Sequence, residues 1–277
     1  MALLKMQEWL KKGYIDKEAG TMDGPKAAES FANGTSGIMF GPAWSGDWPL
    51  GDLTKNIPGA VMVAAPLPSG PDGTIGRKSG PLNGYQGLFF SKDFQNIEAF
   101  FKVFDKIYDP MFQEGDFKNG FAEGYDYILK DGQPLYEESQ IPGGKKYNVA
   151  KYTFAGNQPG IPYLKGEIYK SLFDGKAPLT PLEIALATTP KVTIQGYTVD
   201  GEMQKYDIGT DFTGAPTETM KTRNDILYKM EVEAFLKIIY GKASADSFDT
   251  FVKDWLSNGG EKITQEVNEW YKASVGQ

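Results

Sequence analysis

The chain has 277 residues, 40% hydrophobic and 23% charged, enough to bury one large domain or two lobes. Its net charge of −7, from 29 basic and 36 acidic side chains with no stripe of Lys or Arg, argues against nucleic acid as a partner. His and Cys are both absent, which excludes zinc sites with the usual ligands, thiol nucleophiles, Ser-His-Asp triads and disulfides; no cofactor or metal is expected.

No apolar run approaches the ~20 residues of a membrane span, and the start lacks the pattern of a secretory signal. "MALLKMQEWLKKG" instead begins inside a helical pattern, which suggests a fragment with an added Met1. Leu3, Met6 and Leu10 share one face of that helix, and Gly13 supplies the left-handed residue that ends it. A second helix is predicted over about 24–33, with Ala27, Ala28 and Phe31 inward and Gly34 as its stop. "GIMFG" (37–41) reads as a short buried strand, "AVMVAAPLP" (60–68) as a strand covered on both faces, and "YQGLFFSK" (85–92) as another. Ile97, Phe101, Phe104 and Tyr108 recur at helical spacing and predict an amphipathic helix.

From about 110 to 215 the pattern is less regular, with Gly and Pro every few residues and short hairpins predicted around "KDGQ" (130–133) and "VDGE" (199–202). "TPLE" (180–183) offers a Thr cap, a first-turn Pro and a Glu reaching back, a helix start. In the C-terminal third, Leu227, Met230, Ala234 and Ile238 line a long helix that ends at Gly241. Phe248, Phe251 and Trp255 line the next, ended by "NGG", and Ile263, Val267 and Trp270 line the last. The fold class is α/β, helix-rich, with a few strands.

Sites for chemistry are sparse. "GPDGTIGRKSG" (70–80) fails as a phosphate loop, because Arg77 separates Gly76 from Lys78 and Gly80-Pro81 forbids an immediate helix; it reads as a solvated turn. Glu137 and Glu138 and the Asp residues beside glycines read as surface charges and turn formers, with no recognisable pair for two-carboxylate hydrolysis. "GPDG" and "QEGDFKNG" lack the alternating oxygens of a calcium loop. "GIMFGPAWSGDWPL" (37–50) is different, since it sets Trp44 and Trp48 around Ser45, Gly46 and Asp47. Such a stretch is either core or lid packing, or a platform whose indoles face the C–H side of a sugar while Asp47 and Asn83 bond its hydroxyls.

Read in order, several stretches resemble extracellular solute-binding proteins of family 1, the capture components of ABC importers, and among them the large lipoproteins of oligosaccharide uptake. They are "LLKMQEWLKKGYIDKEAGT", "AAESFANGTSGIMFGPAW", "VMVAAPLPSGPDGTIG", "NGYQGLFFSKDFQNIEAFFKVFDKIYD" and the closing "FTGAPTETMKTRNDILYKMEVEAFLKIIYGKASADSFDTFVKDWLSNGGEKITQEVNEWY". The resemblance implies the C-terminal portion of a periplasmic-binding-protein-like (type II) two-lobe fold with ligand held in the cleft between lobes. Residues 1–58 would belong to the second lobe, 59–108 would cross to the first, and 109–277 would return to the second. The family's cleft aromatic after Gly-Pro maps onto Trp44 or Trp48, because Ala43 intervenes after Gly41-Pro42. Asn83, Gly84 and Tyr85 match the segment that lines the cleft at the crossing. Tyr125 and Tyr127 join as candidates on aromatic clustering, and Arg77, Lys78 and Arg223 are the cations available to an acidic sugar.

The expectation is non-catalytic capture of an oligosaccharide for the membrane subunits of an ABC importer, on the extracellular face of the cytoplasmic membrane or in the periplasm. A membrane would be met only through a lipid anchor on a missing N-terminal part. The alternatives are a glycoside-processing enzyme or accessory domain, and a folded fragment without independent binding.

Overall fold

A computed structural model describes residues 2–78, 88–108, 117–147 and 162–274. Helix α1 (Ala2–Lys11) ends where Gly13, at φ 74°, takes the left-handed conformation that a side chain would resist. Helix α2 (Gly24–Ala32) buries Ala28 and Ala32 and stops at Gly34, whose N–H bonds the Phe31 carbonyl. A single-turn helix α3 (Leu53–Asn56) follows the tryptophan stretch, and a short strand β1 (Arg77–Lys78) comes next. Helix α4 (Ile97–Tyr108) forms as its periodicity requires, but Phe100 and Phe104 are its more sheltered rings while Ile97 and Phe101 are exposed. The difference has a local cause: Phe90 and Phe94 fold onto the helix, with Phe90 edge-on to Phe100 at 4.8 Å.

Strands β2 (Ile128–Lys130) and β3 (Gln133–Leu135) form the hairpin predicted at "KDGQ". Asp131 and Gly132 both have positive φ, 54° and 75°, as a two-residue turn between twisted strands requires. Helices α5 (Pro162–Phe173), α6 (Pro181–Ala187) and α7 (Lys191–Met203) follow. At the start of α6 the Thr180 hydroxyl accepts from Glu183 N–H at 3.2 Å and the Glu183 carboxylate accepts from Thr180 N–H at 2.9 Å, a complete capping box. Strand β4 (Asp207–Ile208) pairs with β1. The C-terminal helices α8 (Glu218–Ile239), α9 (Ser247–Trp255) and α10 (Glu261–Ser274) lie where the apolar spacing puts them. Gly241 and Gly259 take positive φ at the first two of their ends.

The expected strands at 37–41 and 60–68 do not form, and of the one expected at 85–92 residues 85–87 lie outside the described residues while 88–92 join no ladder. Phe40 is 72% and Val61 83% exposed, so neither run is buried. An apolar run becomes a strand only where another strand supplies hydrogen bonds. Here Ala60 N–H bonds the Ile57 carbonyl in a turn and Ala64 N–H bonds the Gln195 side chain, and neither belongs to a ladder. The hairpin expected at "VDGE" is instead the last turn of α7, where packing of Thr193, Ile194 and Thr198 overrides a local turn signal. Helix therefore dominates, and the sheets among the described residues are two pairs of short strands.

Two compact units emerge from the contacts. One comprises, among the described residues, 2–27, 78 and 208–274. In it α1 lies on α8, with the Gln7 amide donating to the Ile238 carbonyl at 2.6 Å. The Tyr240 hydroxyl accepts from Gly20 N–H and donates to the Lys17 carbonyl, tying the first loop to the end of α8. The Thr219 hydroxyl on α8 donates to Glu266 on α10 at 2.8 Å, and Phe212 stands edge-on to Trp270 at 4.9 Å. The other unit comprises described residues within 28–77 and 88–207. Its core is where α5, α6 and α7 meet: Ile168, Tyr169, Leu186 and Ile194 are buried, with Leu172, Leu182 and Tyr197 packed on them.

Candidate functional site

The tryptophan stretch lies in this second unit. Pro42 enters extended, Ala43–Gly46 make one tight helical turn, and Leu50 and Leu53 anchor the outgoing chain in the interior. Asn56 then donates its amide to the Ala32 carbonyl and to Asn33, both at 3.1 Å, which pins the far end. The turn is seated on α7 by two glycines. A Cβ on Gly196 would lie 2.9 Å from the Ala43 carbonyl oxygen, and one on Gly46 would lie 3.0 Å from the Thr193 hydroxyl. At Gly196 backbone meets backbone at a distance that only glycine permits, and at Gly46 the nearest neighbours are the Val192 and Thr193 side chains. Ser45 is buried at this seat, while the buried Thr193 hydroxyl has no hydrogen-bond partner among the described residues.

The two indoles point the other way. Trp44 is 48% and Trp48 70% exposed, with ring centroids 6.3 Å apart and planes within 14° of parallel. Neither is core. Parallel rings this far apart do not cover one another fully, so apolar face remains open on both. Asp47 between them is exposed as well, so the turn offers two flat apolar surfaces and a carboxylate.

Behind the turn stands a second aromatic pair that the sequence did not announce. Tyr169 on α5 and Tyr197 on α7 stack with centroids 4.8 Å apart, and Lys165 Nζ sits 5.7 Å from the centroid of each. Burial raises the Tyr169 phenol pKa against a hydrogen bond with Thr189 that lowers it, and the Asp47 charge adds to the rise, so Asp47 lies within electrostatic reach of Tyr169. Burial likewise raises Tyr197, with a contribution from Asp200. Lys165 moves in the opposite sense: burial lowers its pKa, and no carboxylate among the described residues offsets it. The one sequence signal for this arrangement is the spacing of four between Lys165 and Tyr169, which puts them on one helical face.

The other candidates fall elsewhere. Asn83, Gly84 and Tyr85 lie outside the described residues. Tyr125 is exposed but pairs edge-on with Tyr147 at 6.1 Å, and Tyr147 N–H bonds the Tyr125 carbonyl. Tyr127 packs beside Tyr136 at 6.4 Å, near a loop that Asp126 closes by accepting from Phe121 and Ala122 N–H. Arg77 is not free for an acidic sugar, because its guanidinium is paired with both Asp200 and Asp207. Arg223 belongs to α8, where its stem lies against Gly259. The 70–76 segment is the turn expected of it, with Gly70 N–H bonded to the Thr74 carbonyl and Asp72 accepting from Thr74 N–H. Among the described residues, no group of acidic side chains could hold a metal ion and no helix is long and apolar enough to cross a membrane.

Comparison with known proteins adds little chemistry. No family model matches the chain, and no solved structure matches it. The chain is similar to a protein of Niallia circulans named "Uncharacterized protein in butB 5'region", 24% identical over 282 residues that cover 98% of each chain.

Proposed function

We propose that this chain is a non-catalytic solute-binding protein that captures an oligosaccharide by aromatic stacking and hydroxyl hydrogen bonds, for delivery to an ABC importer. The sequence resemblance to family 1 solute-binding proteins motivates the class, a type II two-lobe fold, and a place outside the cytoplasmic membrane. The observation that carries it is the exposed, near-parallel pair Trp44 and Trp48 on a turn clamped to α7. A rigid aromatic surface loses little conformational entropy on binding, so more of the stacking energy appears as affinity. Asp47 supplies an acceptor for sugar hydroxyls beside those rings.

Titration of the indole fluorescence with plant and algal oligosaccharides tests this directly. A saturable change is expected, lost in Trp44→Ala or Trp48→Ala while the circular dichroism of the helices is kept. Unchanged fluorescence over the whole panel refutes it.

A second reading is favoured by exposed apolar side chains at Ile38, Phe40, Val61 and Val63. It holds that the chain has no independent binding and needs further protein surface over these residues. Sedimentation velocity separates the two: concentration-dependent self-association without sugar binding supports the second, and a monomer that binds sugar supports the first.

A further inference from the structure

We infer that Lys165, set over the stacked rings of Tyr169 and Tyr197 beside the tryptophan turn, receives the carboxylate of a uronic acid residue, so that the captured sugar is an acidic oligosaccharide. This rests on the sugar-binding reading above and specifies its ligand.

Lys165 is a cation of this unit that stands over an aromatic pair with no carboxylate beside it among the described residues. On the same helix, Lys170 is paired with Asp174 at 3.2 Å, and Arg77 is held by two aspartates. Lys165 has no carboxylate partner among the described residues; its Nζ faces two phenol rings. Ring faces hold an ammonium in place without neutralising it. Burial disfavours the charge, so an incoming carboxylate would restore what desolvation removes.

The neighbourhood fits a sugar rather than a bare anion. Tyr197 follows Gly196, the residue on which Ala43 sits, so the tyrosine pair and the Trp44 turn share one support. Asp47 and Asp200 are the acidic groups whose charge reaches the tyrosine rings. Asp200 is paired with Arg77, which it shares with Asp207, and Asp47 lies on the tryptophan side. A carboxylate is therefore directed to Lys165, and neutral hydroxyls to Asp47.

The test is calorimetric titration with oligomers of galacturonic, glucuronic and mannuronic acid, each beside the same oligomer with its carboxyls reduced to the neutral sugar, and with a sulfated galactan oligomer. At least one uronate oligomer is expected to bind on the order of tenfold or more tighter than its reduced counterpart. Lys165→Gln is expected to erase that margin, while Lys165→Arg retains it. Thermal unfolding of both variants checks that the fold is kept. Equal affinity for uronate and reduced oligomers overturns the inference and leaves capture standing. Loss of both affinities in Lys165→Gln, or preference for the sulfated oligomer, overturns it too. No binding of any oligomer overturns the inference and the proposed function together.

Discussion

Gly196 offers a test in which two ordinary effects oppose each other. It lies inside α7, where Gly→Ala should stabilise by about 1 kcal/mol through reduced backbone entropy in the unfolded chain. Its Cβ, however, would stand 2.9 Å from the Ala43 carbonyl oxygen, 3.4 Å from Ala43 Cα and 3.5 Å from its carbonyl carbon. These are backbone atoms of the tryptophan turn and cannot swing aside as a side chain would. Overpacking of this kind costs about 1–3 kcal/mol. Gly201 on the same helix is the control, since nothing lies within 4 Å of a Cβ there. The propensity gain is common to both, so Gly196→Ala should be less stable than Gly201→Ala by the clash alone, about 1–3 kcal/mol. Urea unfolding followed by helix dichroism measures the difference, and near-ultraviolet dichroism reports the Trp44–Trp48 pair. If Gly196→Ala is as stable as Gly201→Ala with an unchanged indole signal, the turn is not seated on α7 and the clamped platform is wrong.

Two further outcomes follow from local geometry. Thr180→Ala removes the acceptor for Glu183 N–H and should cost about 1 kcal/mol, read as a lower urea midpoint; Thr180→Ser should recover most of it. Asp207 has its pKa lowered by the hydrogen bond and charge of Arg77, so its contribution to stability is present above the ordinary Asp range and lost as pH falls through its lowered value. Arg77→Met should therefore lower the thermal midpoint at neutral pH, with the gap to wild type closing in acid; a gap that widens below pH ~4 contradicts the pairing.

How far the sequence could be read depended on the range of the signal. The Thr180–Glu183 box, the stops at Gly13, Gly34 and Gly241 and the Asp131-Gly132 turn are decided within a few residues, and each was legible. The long C-terminal helices were legible for the same reason, because a stripe such as Leu227, Met230, Ala234 and Ile238 is fixed by helical geometry. The runs at 37–41 and 60–68 had the composition of strands, yet a strand needs a partner from elsewhere in the chain, and none is supplied among the described residues. In the candidate site, Trp44, Asp47 and Trp48 stood out because they are adjacent and unusual for a core. Lys165, Tyr169 and Tyr197 did not, since Tyr169 and Tyr197 meet only when α5 packs on α7. Local sequence thus determined the helices, their caps and the tryptophan turn, through interactions spanning one or two turns of chain. Tertiary packing alone decided which apolar runs stay unpaired, that the turn is clamped on α7, and that Lys165 stands over two tyrosines with no counter-charge among the described residues.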